Sequence, residues 1–143
     1  MKRLFHRKWL ALAGVAVLAV IICVMGGCFA KGDKGDKVRD LDFTVVAEGD
    51  IPSELQQIIA QKRQSPFKLT YSDDQNLYIA VGFGQQAGGG YSIAVNQLYL
   101  TENSIVLDTE LLGPEKGENT GSESSYPIIV IKTEMSELPV VFQ

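Results

Sequence analysis

From Leu77 to Val95 the chain reads LYIAVGFGQQAGGGYSIAV, two alternating apolar runs on either side of a gap without large side chains. In the first run Leu77, Ile79, Val81 and Phe83 alternate with Tyr78, Ala80, Gly82 and Gly84. In the second, Tyr91, Ile93 and Val95 alternate with Ser92, Ala94 and Asn96. A period of two on both sides of turn residues predicts two strands joined as a hairpin. The joining loop carries three consecutive glycines, Gly88, Gly89 and Gly90, which permit positive φ or close approach of backbone to another surface. Two readings follow. The loop is a plain, wide hairpin connection, or Gly88, Gly89, Gly90 and the rigid Tyr91 contact a partner.

Around this pair the pattern predicts five more strands and one helix. Leu41 to Ala47 reads as a first strand with Phe43 and Val45 on one face, and Glu48-Gly49-Asp50 as a turn. Ile51 to Arg63 is the helix: Pro52 suits a first turn, Ser53 and Gln56 have capping-box spacing, and Leu55, Ile58 and Ile59 make an apolar stripe. Strands are then expected at Phe67 to Tyr71, Ile105 to Leu112, Tyr126 to Thr133 and Pro139 to Gln143. Ile128 to Ile131 are apolar on both faces, which places that strand inside a sheet. Gly113 to Ser125 is polar, rich in Gly and Glu, and reads as a long surface loop. The expected fold is mainly β (α+β): an antiparallel β-sandwich or strongly bent sheet of about seven strands with one packed α-helix.

The N-terminus bears on the compartment. Lys2, Arg3, Arg7 and Lys8 precede twenty-two uncharged residues, Trp9 to Ala30. A basic segment before an apolar one is an export signal or an anchor, and a span needs ~20 residues. The charge asymmetry places the N-terminal end inside and the remainder outside. Met25-Gly26-Gly27-Cys28 resembles the end of a bacterial lipoprotein signal, with Cys28 as the lipidated residue. Lipidation at Cys28, an uncleaved helix anchor, and cleavage after Ala30 are the three outcomes consistent with this segment. The expected organisation is therefore a signal or anchor at 1–30, a flexible charged tether at 31–40, and a globular β-rich domain at 41–143. The tether reading rests on Lys31-Gly32-Asp33-Lys34-Gly35-Asp36-Lys37, which has no apolar surface to bury.

Beyond Cys28 there is no Cys and no His. That excludes a Ser-His-Asp triad, a Cys-His dyad and any His- or Cys-ligated metal in the exported part. The glycine loop lacks Gly-Lys-Ser/Thr, so it is not a nucleotide P-loop. Carboxylate-pair and Ser-Lys chemistry stay formally open, but the carboxylates are scattered. The expectation is a non-enzyme without cofactor. From Leu41 onward five basic side chains face fourteen acidic ones, a net charge of −9. An acidic domain without a basic stripe does not suit nucleic acid.

Gly89-Gly90-Tyr91-Ser92-Ile93, with the later Ser125-Tyr126-Pro127-Ile128-Ile129-Val130, resembles the C-terminal domain of PrcB-type proteins over roughly residues 77–132. That family is named for a subunit of a surface-associated bacterial protease complex. It shows a Thr-Gly-Gly-Tyr turn and a later Tyr-Pro before a β-branched strand; Gly88 stands at the Thr position here. The Gly-Tyr loop is more distantly similar to loops of chagasin-type protease inhibitors, which would imply inhibition. The resemblance implies a membrane-anchored extracytoplasmic binding module that associates with a surface or secreted protease, through Gly88, Gly89, Gly90 and Tyr91. The alternative is a structural cell-envelope lipoprotein without a protease partner.

Overall fold

The computed structural model describes residues 35–143. The expected signal or anchor segment, 1–30, and with it Cys28, lies outside the described residues. Eight strands form two four-stranded sheets: β1 (Lys37–Asp40), β2 (Thr44–Val45), β3 (Pro66–Ser72), β4 (Asn76–Phe83), β5 (Ser92–Thr101), β6 (Ile105–Leu112), β7 (Ile128–Glu134) and β8 (Val140–Phe142). The helix, α1, is Ser53–Lys62. One sheet runs β1-β5-β6-β8, and the other β2-β7-β4-β3. This is the expected mainly β sandwich with one packed helix. All pairings are antiparallel except β6 with β8, which are parallel because the chain after β7 crosses back to the first sheet.

The alternation in β4 explains its position. Leu77, Ile79 and Val81 enter the core between the sheets, together with Leu41, Leu98, Ile105, Leu107 and Ile131. Tyr78 and Ala80 face the other way, into a second core with Leu55, Ile59, Phe67, Leu69 and Val130. β7 does the same with Ile131 inward and Val130 outward. Both strands are therefore interior, as the double-faced apolar run of β7 predicts, and α1 covers the outer face of their sheet. Leu55 is fully buried there; burial of such a side chain contributes about 1.5–3 kcal/mol.

Four expectations are corrected. The strands on either side of the glycine loop are not a hairpin. β4 pairs with β3 and β7, and β5 pairs with β1 and β6, so the loop crosses from one sheet to the other. Both edges of β4 are already taken, and a strand has only two. The proposed tether is not free along its whole length: Lys37–Asp40 form β1 against Tyr99–Thr101. Backbone pairing needs no apolar side chain, and composition alone hid it. The first strand is one extended run that changes sheets, with Leu41 N–H still bonded to Leu98 O (3.0 Å) and Thr133 Oγ1 donating to Asp42 O (2.7 Å). Finally, Ser53 makes no cap. Pro52 is the N-cap, and the Gln56 amide instead donates to the carbonyls of Glu48 (2.9 Å) and Ile51 (3.0 Å). Among the described residues no helix is long and apolar enough to cross a membrane.

The first turn of α1 is tied to β3 by Tyr71, whose hydroxyl donates to Glu54 Oε2 at 3.0 Å. Burial, then the bond to Glu54 and its charge, raise the Tyr71 pKa above the ordinary value of 10.0. The folded state therefore holds this proton more tightly than the unfolded chain. The stabilisation is complete below pH ~10 and is lost as pH rises through the folded pKa. Tyr71→Phe should cost about 1 kcal/mol at neutral pH, and should flatten the loss of stability above pH ~10. Urea melts of the two proteins across that range check both effects; parallel alkaline profiles would contradict the assignment.

Candidate functional site

The loop from β4 to β5 and the loop from β6 to β7 meet at one end of the sandwich. They do so because each crosses between the two sheets there. The contact is mainly backbone: Gln86 N–H donates to Ser125 O (2.8 Å), Ser125 N–H to Gln86 O (3.0 Å), and Gly89 N–H to Thr120 O (2.7 Å). Side chains add to it. Ser125 Oγ donates to Gly88 O (2.6 Å) and Gln85 Nε2 to Ser124 Oγ (2.8 Å). At the base of the second loop the Arg63 guanidinium lies over the Tyr126 ring, 4.8 Å from its centre. This places the end of α1 against the same structure.

The glycines have different roles. Gly88 and Gly90 have φ of +79° and +83°, where an L side chain is strained. A Cβ on Gly88 would lie 2.8 Å from Thr120 Oγ1, and one on Gly90 would lie 2.8 Å from Pro114 Cβ. Both positions therefore need glycine so that the two loops can close on each other. Gly89 has an ordinary φ, and a Cβ there would meet only Thr120 O at 3.4 Å. Its backbone donor is engaged by Thr120 O. Of the four residues expected to bind, Tyr91 is the one placed at an opening.

That opening is a cleft of about 190 Å³ lined by Tyr91, Ser92, Ile93, Pro127, Ile128 and Ile129. It is smaller than the ~300–1,000 Å³ of small-molecule sites, and it suits a side chain of a partner. Its walls are the beginnings of β5 and β7. Exposed Glu115 and Glu118 lie on the neighbouring loop, with Glu118 reaching toward Gly90. Ile93, Ile128 and Ile129 were read as strand residues only; no local signal marks them as cleft walls, because the cleft forms between distant segments. Ser65 and Lys68 stand at Ser-x-x-Lys spacing. Ser65 is exposed before β3, whereas Lys68 Nζ lies over the Phe142 ring, 5.5 Å from its centre.

Residues 77–134 match the family model described as PrcB C-terminal. The segment is thus similar to the C-terminal domain of PrcB proteins. The match runs from β4 through β7, and so takes in both interior strands, both loops and the whole cleft. The PrcB segment is less than half the chain; β1, β2, α1, β3 and β8 complete its sandwich from outside the matched residues. No curated protein and no solved structure matches the chain.

The loop geometry has a direct consequence. Gly88→Ala should destabilise the domain by about 1–3 kcal/mol, and Gly89→Ala by no more than about 1 kcal/mol. Chemical denaturation of the two variants checks the order. Equal costs would mean that the loops are not closed on each other as described.

Proposed function

We propose that this protein is a membrane-anchored extracytoplasmic binding module that associates with a surface or secreted protease, in its assembly, maturation or inhibition. The observation that carries the reading is the coincidence of the PrcB match with the closed loop pair and its cleft. The family's name refers to a protease complex, and the matched residues build the end of the sandwich that carries this cleft. Tyr91 serves as the anchoring side chain, since aromatic residues at the rim of a pocket are favoured contacts. Gly88 and Gly90 serve by letting the loops close, and Gly89 is half-buried between them with room for a Cβ at ordinary contact distance from Thr120 O. The basic segment before Trp9 to Ala30, with Cys28 at a lipoprotein-type boundary, supports attachment to the membrane with the domain outside.

The test is affinity recovery from detergent-solubilised native envelopes with the full chain as bait. A Gly89→Val bait serves as comparison, because its Cβ sits at ordinary contact distance and its fold can be verified by melting. The expected result is one protease, identified by mass spectrometry, recovered by the parent chain and depleted with the variant. Recovery of no protease by either bait would favour a structural envelope role instead.

A further inference from the structure

The edge strand that changes sheets leaves a place unfilled. β1 pairs with β5 only at Tyr99–Thr101, and the last bond on that side is Leu41 to Leu98. The chain then passes to the other sheet, where β2 pairs with Ile131 and Lys132. Among the described residues, no backbone pairs with Ser92–Asn96 on the side away from β6. Val45 shows the same gap from the other sheet. Its register partner Ile131 belongs to the core between the sheets, so Val45 points inward, yet it is 59% exposed. Phe43, two residues earlier, is also exposed. An inward-facing valine is that open only if the strand opposite it is missing. The lane ends at the cleft of Tyr91, Ile93 and Ile129.

We infer that an extended, cationic segment of a partner protein docks in this lane as an added strand beside Ser92–Asn96. This deepens the binding role proposed above and rests on it. A free edge recognises an extended backbone by its unpaired N–H and C=O groups, and the inward side supplies a pocket for alternate side chains. Five residues of edge span ~17 Å at the usual strand rise. Residues of the incoming strand that face inward would lie on Val45 and Ile129, so they are apolar. The border is acidic: Asp42, Glu48 and Asp50 on the chain before and after β2, and Glu115 and Glu118 on the loop, with Lys116 as that loop's one basic residue. A second copy of this chain is disfavoured as occupant, because residues 41–143 carry a net charge of −9.

The test uses the full chain in neutral detergent micelles, isotopically labelled, and a capped heptapeptide of Lys, Val, Thr, Val, Thr, Val and Lys. Binding is followed through the amide resonances. The expected result is saturable shifts at Ser92–Asn96, at least tenfold weaker binding by Val45→Lys, and a similar loss when the peptide is N-methylated at alternate residues. Val45→Lys changes an exposed side chain, and an unchanged melting temperature shows that it is folded. Shifts confined to other regions, equal binding by the N-methylated peptide, or indifference to Val45→Lys would overturn the inference. So would concentration-dependent shifts at Ser92–Asn96 without peptide, which would assign the lane to a second copy. If a protease is recovered from envelopes while the peptide does not bind, the inference falls and the binding role stands. If the peptide binds as described and no protease is recovered, the lane stands and its partner is of another kind.

Discussion

Each backbone N–H and C=O of β4 has to find a partner away from water, because Leu77 to Gly82 are buried without interruption. β3 and β7 supply those partners on the two edges. The side chains fill one core between the sheets and another beneath α1. Once both edges and both faces of β4 are used, the chain that follows cannot fold back alongside it. It must leave the sheet. The loop from Gly84 to Tyr91 is therefore a crossing, and its glycines serve the close meeting of two crossing loops at one end of the sandwich.

The same requirement, met differently, shapes the opposite strands of each sheet. The run from Lys37 to Val46 is shared between the sheets, with its first half on β5 and its second half on β7. One strand shared in this way links the two edges, but each sheet is covered along only part of its length. The uncovered part of β5 lies next to the cleft and next to Tyr91. The residues that match the PrcB model supply the loops and cleft, and the preceding edge strand determines how much of the sheet is left open.

Apart from β1, the elements themselves were legible in the sequence, and their partners were not. Period-two alternation located β4 and β5, the double-faced run of Ile128 to Ile131 marked β7 as interior, and Leu55, Ile58 and Ile59 gave the buried side of α1. These are local signals carried by side chains. Strand pairing depends on which edges are already occupied, and that is decided by distant segments; the hairpin expectation failed for this reason. β1 was missed because Lys37, Val38, Arg39 and Asp40 are exposed and join the sheet through backbone pairing and polar surface contacts, which leave no apolar alternation in the sequence. Tyr91, expected from the sequence to contact a partner, lines the cleft. Ile93, Ile128 and Ile129 were not, since their role depends on the two sheets meeting there. The demand for glycine at positions 88 and 90 comes from Thr120 and Pro114, which no local pattern connects to them.

Residue-resolved amide hydrogen exchange of the full chain tests the central arrangement most directly, because exchange reports which edges are bonded. Slow exchange is predicted at every amide from Leu77 to Gly82, where each N–H has a neighbour on one side or the other. From Ser92 to Val95, protected and unprotected amides should alternate, since only the β6 side is paired before the bulge at Asn96. Continuous protection along Ser92–Val95, or alternation along Leu77–Gly82, would contradict the crossing topology and the open edge that follows from it.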